Sequence, residues 1–399
     1  MAIKINGTTG ITTPNLTATT QVTTADLTNT GNYNGGPLTN RNMVINGAMQ
    51  VAQRGTTSTT NPGGGYWSCD RWLTEYDSGN ISATFSQASS TSGAPGFIYS
   101  HKCAVNNTLT LPTSSYLIPF EHRFERAVVD QLAWGTSNAK PFTLSFWIKS
   151  NRTGTYTVNP TLNNSSPASG ESISKQYTID AVDTWEYKEI TFPANTIAYP
   201  NTSAYNSKAL TLFWWMAAGS TYSSGTLPTG WQAEVPSQRA VGCTDSLSSG
   251  DYWEMTGVQM EVGENATPFE HLSYGDELAK CQRYYQFWGA KGYDYHALPM
   301  WIYGSGQASA LIDFPQEMRA PPSMSRVGSV QNSSGGSVGG GAWAMYWAGG
   351  WRGCSALTAG TISHVSFRLD ANSTDTMTAG DACGLYGGTD CYFTLNAEL

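Results

Sequence analysis

The chain has 399 residues, room for two or three domains of ordinary size. Charged residues make up 13% of it, and the formal net charge of −8 comes with no basic stripe, which excludes nucleic acid as the main ligand. With 14 Trp, 21 Tyr and 13 Phe the chain can bury a sizeable core, so wholesale disorder is excluded and a Ser/Thr/Asn/Gly-rich β protein remains.

Residues 1–40 carry threonine in clusters, from Thr8 and Thr9 to Thr23 and Thr24, among sparse apolar residues such as Ile5, Leu16 and Leu27. Such a segment buries too little to fold alone, so we expect an extended N-terminal attachment arm that is stable only against partner chains. Met1 to Thr20 lacks the apolar run of a secretory signal, which points to synthesis in a cytoplasm. The most apolar stretch, Ala209 to Ala218, is about half of what a membrane-spanning helix needs, so no membrane insertion is expected.

Residues 41–273 alternate aromatic and polar residues at strand spacing. Phe142, Leu144, Phe146 and Ile148 form a period-two face, and Trp185 to Phe192 follows the same pattern less strictly. Leu210 to Met216 reads as a central strand buried on both sides, and Asp251 to Glu261 as a further strand ending near Gly263. Many strands divided by turn-rich blocks, such as Asn163 to Gly170, predict a large jelly-roll β-sandwich. A linking helix is expected over 274–287, with Asp276 near its N-terminus and Leu278, Cys281 and Tyr285 on one face.

Residues 288–399 read as a C-terminal β-sandwich. Ser309 to Phe314 is a strand, Pro315 and the Pro321–Pro322 pair interrupt the ladder, and Ser333 to Gly341 is a glycine-rich loop. His364 to Asp370 and Tyr392 to Leu399 are closing strands, the last expected to be built into a sheet.

The chemistry-bearing residues are sparse. Seven cysteines, an odd number with no CxxC spacing, argue against a disulfide framework and read as small buried hydrophobes. The five histidines form no zinc motif, and no phosphate-binding glycine motif occurs, so no catalytic residue, metal ligand or cofactor is assigned. Carboxylates cluster at Asp70, Glu75 and Asp77 and again at Asp251, Glu254 and Glu261; Glu125 and Asp130 are looser candidates. Strand parity puts Glu254 and Glu261, seven residues apart, on opposite faces, which breaks them as a couple for glycoside cleavage. Paired carboxylates near strand ends leave a structural calcium open. Sugar binding needs less: a flat aromatic face and a few hydrogen-bonding side chains. Trp347 and Trp351 flank Gly349 and Gly350 just after the polyglycine loop, so with Tyr346 and His296 they are the ligand-binding candidates.

Asn42 to Gly55 (NMVINGAMQVAQRG), followed by Gly65 to Trp72 (GYWSCDRW), resembles the start of a family of tailed-phage tail-fibre and virion-surface proteins from marine and cyanobacterial phages. Phe142 to Lys149, Thr256 to Gly263 with Ala266 to Glu270, Tyr274 to Tyr285, Met318 to Pro322 and Asn396 to Leu399 continue the pattern, with Asn396 where aspartate is usual. The resemblance covers 41–399. It implies a virion protein, usually oligomeric, with a jelly roll similar to carbohydrate-binding modules. Three roles fit it. The favoured one is a non-enzymatic homotrimeric tail fibre or knob, joined to other phage proteins through residues 1–40 and recognising host-surface glycan through distal loops. The others are a purely structural head or tail decoration protein and a polysaccharide-depolymerising tailspike. In these terms Asn46–Gly47 is a tight turn, Trp67 and Trp72 are core anchors around an Asp70–Arg71 ion pair, and Glu261 and Phe269 close the domain.

Overall fold

The computed structural model describes residues 40–89, 94–163, 170–197, 204–289, 291, 296–331 and 342–399. The attachment arm up to residue 39, the turn block at 164–169 and the glycine-rich loop at 332–341 lie outside the described residues.

The first β region consists of β1 (Trp72–Tyr76), β2 (Ala83–Ser89), β3 (Tyr99–Val105), β4 (Tyr116–Glu125), β5 (Phe142–Ser150), β6 (Gly154–Leu162), β7 (Lys175–Ile179), β8 (Glu186–Phe192), β9 (Lys208–Trp215) and β10 (Tyr252–Val262), with shorter strands between them. One sheet sets β1, β4, β9 and β6 side by side, with β7 beyond β6. The other runs β8-β5-β10-β3-β2, antiparallel throughout. The period-two face of β5 is fully buried between them. Phe146 meets Trp214 edge-on at 5.9 Å, His101 meets Phe120 at 5.2 Å and Tyr156 meets Trp253 at 6.1 Å, each contact crossing from sheet to sheet. This is the expected jelly-roll-like sandwich. Its central strand β9 is buried on both sides because Trp215 packs outward against Ile118, Ala218, Ala240 and Cys243.

Strand parity fails in β10 at a place that matters for the site. Thr256 pairs with Trp147 and Gln259 with Ser145, so β10 carries one residue more than β5 there, and Gly257 (φ +60°) absorbs the bulge. Glu254 lies opposite Lys149 and Glu261 opposite Thr143, six residues apart on β5. The bulge therefore returns the two carboxylates to the same face, against the parity expectation.

The linking helix spans Tyr274–Gln282, shorter than expected, and the Ser273 hydroxyl caps it by accepting from the Asp276 N–H at 3.2 Å. Tyr285 already belongs to β11 (Tyr285–Gly289), so it leaves the helical face on which Cys281 is buried. The second β region continues with β12 (His296–Gly304), β13 (Gln307–Asp313), β14 (Ser323–Val327), β15 (Ala342–Trp347), β16 (Gly350–Arg352), β17 (Cys354–Ile362), β18 (Ser366–Ser373), β19 (Ala382–Gly387) and β20 (Tyr392–Asn396). One sheet is β11-β20-β14, which puts the last strand at its centre; the other runs β15-β19-β12-β13-β18-β17 with β16 paired to β15. Phe393 on the first meets Trp343 (5.1 Å) and Phe367 (6.0 Å) on the second, making a separate sandwich core.

A buried polar network ties the two sandwiches together. The Arg71 side chain is ion-paired with Glu398, donates to the Arg123 carbonyl at 2.7 Å and lies 3.5 Å over the Tyr284 ring. Arg54 reaches Glu398 at 3.1 Å, and Arg283 grips Glu125 with two hydrogen bonds of 3.1 and 2.9 Å. The expected Asp70–Arg71 pair is not formed. Arg71 has φ +70°, which turns the two side chains apart, and Asp70 instead accepts from the Gln53 N–H and lies 3.6 Å from Arg54. Trp72 is the expected anchor, its indole N–H donating to the Asn46 carbonyl at 3.0 Å, whereas Trp67 packs half-buried at the rim of the core. Asn46 takes φ +59°, and a side chain at Gly47 would strike the Val258 carbonyl, so this turn requires its glycine.

Candidate functional site

With Phe142, Leu144, Phe146 and Ile148 turned inward, Ser145 and Trp147 must face out from β5. The register sets Tyr187 of β8 beside Trp147 and Glu189 beside Ser145. The Trp147 and Tyr187 rings stand 5.4 Å apart, and they floor a groove of about 680 Å³. Its wall is an aromatic cluster in which Phe97 meets Phe269 at 4.9 Å and His271 at 5.2 Å. The bulge builds that wall, because a Cβ on Gly257 would sit 2.6 Å from the Phe97 ring. Glu261 fixes the far end by accepting from the Thr267 N–H and hydroxyl, both at 2.7 Å, and from Gln259 at 2.9 Å. Glu261 and Phe269, expected to be structural, thus hold and line this groove.

The groove combines apolar ring faces with the Glu189 carboxylate, the Ser145 and Thr267 side chains and the His271 imidazole. Glu189 accepts from the Ala266 N–H at 2.9 Å, which orients its carboxylate. Partial burial pushes the Tyr187 phenol up, so it stays a neutral donor across the working pH range. Rings for stacking and fixed polar groups beside them suit a sugar chain, and the volume is that of a small-ligand cleft.

Further along the same face the charges neutralise one another. Glu254 lies 3.3 Å from both Lys102 and Lys149, and the Lys102 ammonium sits 4.3 Å from the Tyr252 ring centre. Although Glu254 and Glu261 share a face, seven strand residues put them roughly 20 Å apart, beyond the two-carboxylate spacing of glycoside cleavage. Asp251 pairs with Arg152 at 2.6 Å, and Asp77 accepts from Asn80 at 2.7 Å. Among the described residues no group of three His, Cys, Asp or Glu lies close enough to hold a metal ion.

The candidates chosen from sequence fall in the second sandwich and separate into two groups. Tyr346 and Trp351 face each other across the β15–β16 hairpin at 5.2 Å, and Trp351 meets Tyr386 at 5.1 Å. Trp347 belongs elsewhere: its indole N–H donates to Asp381 at 3.3 Å, Arg352 lies over its ring, and it packs against the second core. His296 opens β12 opposite Gly387, and its side chain lies outside the described residues. Sequence reasoning missed Trp147, Tyr187 and His271. The signal was available for Trp147, which sits at an outward position of a strand whose inward positions are apolar; it was weaker for Tyr187, because Glu186 and Lys188 share the inward parity of β8 with Ile190 and Phe192.

No protein-family model matches the chain, and no curated protein does. Among solved structures it is similar to the enzymatically active domain of bacteriophage CBA120 tailspike protein 4, at 14% identity and a TM-score of 0.28, over 55% of this chain and 21% of that one. It is also similar to the CBM22-1 xylan-binding domain of Paenibacillus barcinonensis Xyn10C, at 8% identity and TM-score 0.27, over 54% of this chain and 100% of that one. The family 11 carbohydrate-binding module of Clostridium thermocellum matches at 11% identity and TM-score 0.26, over 50% of this chain and 91% of that one. These likenesses are weak and partial. Among the described residues no helix is long and apolar enough to cross a membrane.

Proposed function

We propose that this chain is a non-enzymatic component of a phage particle, a homotrimeric tail fibre or knob that attaches through residues 1–40 and binds host-surface glycan. The binding site in this reading is the groove over β5 and β8. The observation that carries it is the Trp147–Tyr187 pair, two rings side by side on an outward sheet face with Glu189 and His271 around them. An aromatic pair spends little conformational entropy on binding and offers two stacking surfaces, while the carboxylate and imidazole select among hydroxyl patterns. The series of motifs from Asn42 to Leu399 supports the placement on a phage particle. The wide separation of Glu254 and Glu261, and the engagement of Glu254 by two lysines, support binding without cleavage.

The test is binding of the full chain to extracted host polysaccharide, compared with a Trp147→Ala/Tyr187→Ala variant. Loss of two stacking contacts, at about 1 kcal/mol or more each, predicts a weakening of at least about 30-fold. Undiminished binding by the variant would refute the groove. Shortened polysaccharide after incubation would refute the non-enzymatic reading.

A further inference from the structure

The larger sheet of the second sandwich turns one face to its core and the other outward. The outward face can be read row by row from the register. Tyr346 pairs with Gly384, Gly384 with Pro299, and Leu311 lies one strand further on, beside Arg368. The next row holds Ala382, Trp301 and Ser309, and the row on the other side holds Tyr386 and Ala297. Trp301 is 61% exposed, Leu311 68%, Tyr303 43% and Tyr346 38%, with Gly384, Pro299, Ala382 and Ser309 between them. A strand position that faces out with leucine or tryptophan lacks the usual reason for being apolar. An apolar face of this kind marks an interaction site.

We propose that this face is the contact between copies of the chain, with Trp301 and Leu311 at its centre. The proposal rests on the oligomeric reading above and gives that oligomer its interface. Sugar fits this face poorly. Its rings pack edge-to-face on one another, Trp301 on Tyr303 at 67°, Tyr346 on Trp351 at 75° and Trp351 on Tyr386 at 77°, so ring faces are taken up by neighbouring ring edges. Ser309, the polar side chain paired with Trp301, is buried, whereas the groove of the first sandwich sets the Glu189 carboxylate directly beside its rings. The four exposed residues alone offer roughly 400 Å² per copy, about half of what one partner contributes to a standard interface. Next to Leu311, β13 and β18 carry Asp313 and the Arg368–Asp370 pair (2.9 Å), which border the apolar residues. An apolar centre with a charged rim is the anatomy of a protein interface, and a rim with both signs lets each copy meet the next around a three-fold axis with opposite charges opposed.

The native cysteines provide the test, because all seven are buried. A Leu311→Cys variant of the full chain presents one accessible thiol at the centre of the face, and Val182→Cys presents one on the other sandwich, at a residue 54% exposed. Treated with a bifunctional maleimide at concentrations where the wild type is associated, Leu311→Cys should give covalent dimers and Val182→Cys should not. Sedimentation of a Trp301→Glu/Leu311→Glu variant, with its far-ultraviolet circular dichroism unchanged, should show at least a tenfold weaker self-association. A chain that is oligomeric but cross-links no better through Leu311→Cys than through Val182→Cys would overturn the interface while leaving the oligomer. A wild type that stays monomeric would overturn both. Loss of polysaccharide binding by the Trp301→Glu/Leu311→Glu variant with its mass unchanged would make the face a glycan surface and overturn the proposal, whereas loss in Trp147→Ala/Tyr187→Ala alone leaves it standing.

Discussion

Replacing Glu398 by glutamine removes one charge from the joint between the sandwiches while keeping the shape of the side chain. Glu398 is the shared partner of Arg71 and Arg54, and the side chains of Arg71 and Glu398 are 1% and 6% exposed. In the variant Arg71 keeps the Arg123 carbonyl and the Tyr284 ring but holds an uncompensated charge out of water. Breaking one side of a buried pair costs about 3–5 kcal/mol. For units of 150–250 residues each kcal/mol moves the midpoint by about 2–4 °C, so a fall of roughly 6–20 °C is expected. Because the pair joins the sandwiches, the loss should fall on their coupling, and scanning calorimetry of the full chain should show the second sandwich melting earlier and apart from the first. The Arg71→Met/Glu398→Leu double variant should recover most of the loss, since an apolar replacement of the whole pair leaves no buried charge alone. A Glu398→Gln variant that melts as one transition within about 2 °C of wild type would refute the latch.

Gly257→Ala forces a side chain into the left-handed region and against Phe97, so a loss of about 2 kcal/mol in urea unfolding is expected, together with weaker glycan binding; a neutral effect would show that the bulge does not build the groove wall. Burial holds the His101 imidazole down to about 3, and burial reinforced by Arg71 holds His122 well below its usual value. Both are neutral in the fold while the unfolded imidazole titrates near 6.5, so their contribution is complete above about pH 6.5 and is lost as the pH falls below it. Between pH 6.5 and 5, urea stability should decline less steeply in His101→Phe than in wild type, and equal slopes would contradict the buried neutral form. Glu121 has the opposite sign: burial pushes it up to about 7, so its contribution is complete below about pH 4.5 and is lost as the pH rises through 7. Relative to Glu121→Gln, wild type should lose stability from pH 4.5 to 7.5 in the same assay.

The sandwich was legible where one side of a strand is apolar and the other is not. The run from Phe142 to Ile148 gave its buried face by alternation alone. The same alternation already held Trp147, and less strictly Tyr187, whose strand has Glu186 and Lys188 at inward positions, whereas the glycine-flanked Trp347 and Trp351 drew the ligand-binding assignment. Local spacing failed where the backbone leaves regular geometry. The positive φ at Arg71 separated it from its sequence neighbour Asp70, and the bulge at Gly257 reversed the parity of Glu254 and Glu261. Arg71 and Glu398 are 327 positions apart, so no local pattern could pair them. His271 joins the groove wall only because Phe97, far away in sequence, reaches over a glycine.

The two outward sheet faces differ in composition, and that difference has a functional consequence. The first mixes rings with acids and hydroxyls and fits a ligand that needs both; the second is apolar with a charged edge and fits another copy of the chain. Glycan contacts built on a few stacked rings are weak one at a time. Copies joined through the second sandwich would hold several grooves together, so that each bound sugar raises the local concentration for the next by the arithmetic of linked sites. The two faces should therefore separate in experiment. Trp147→Ala/Tyr187→Ala should weaken binding to a short oligosaccharide and to intact cells alike. Trp301→Glu/Leu311→Glu should leave the oligosaccharide affinity as it is and reduce retention on cells by at least tenfold, because it removes the linkage and not the site. Equal effects of the two variants on both ligands would mean that one surface, not two, does the binding.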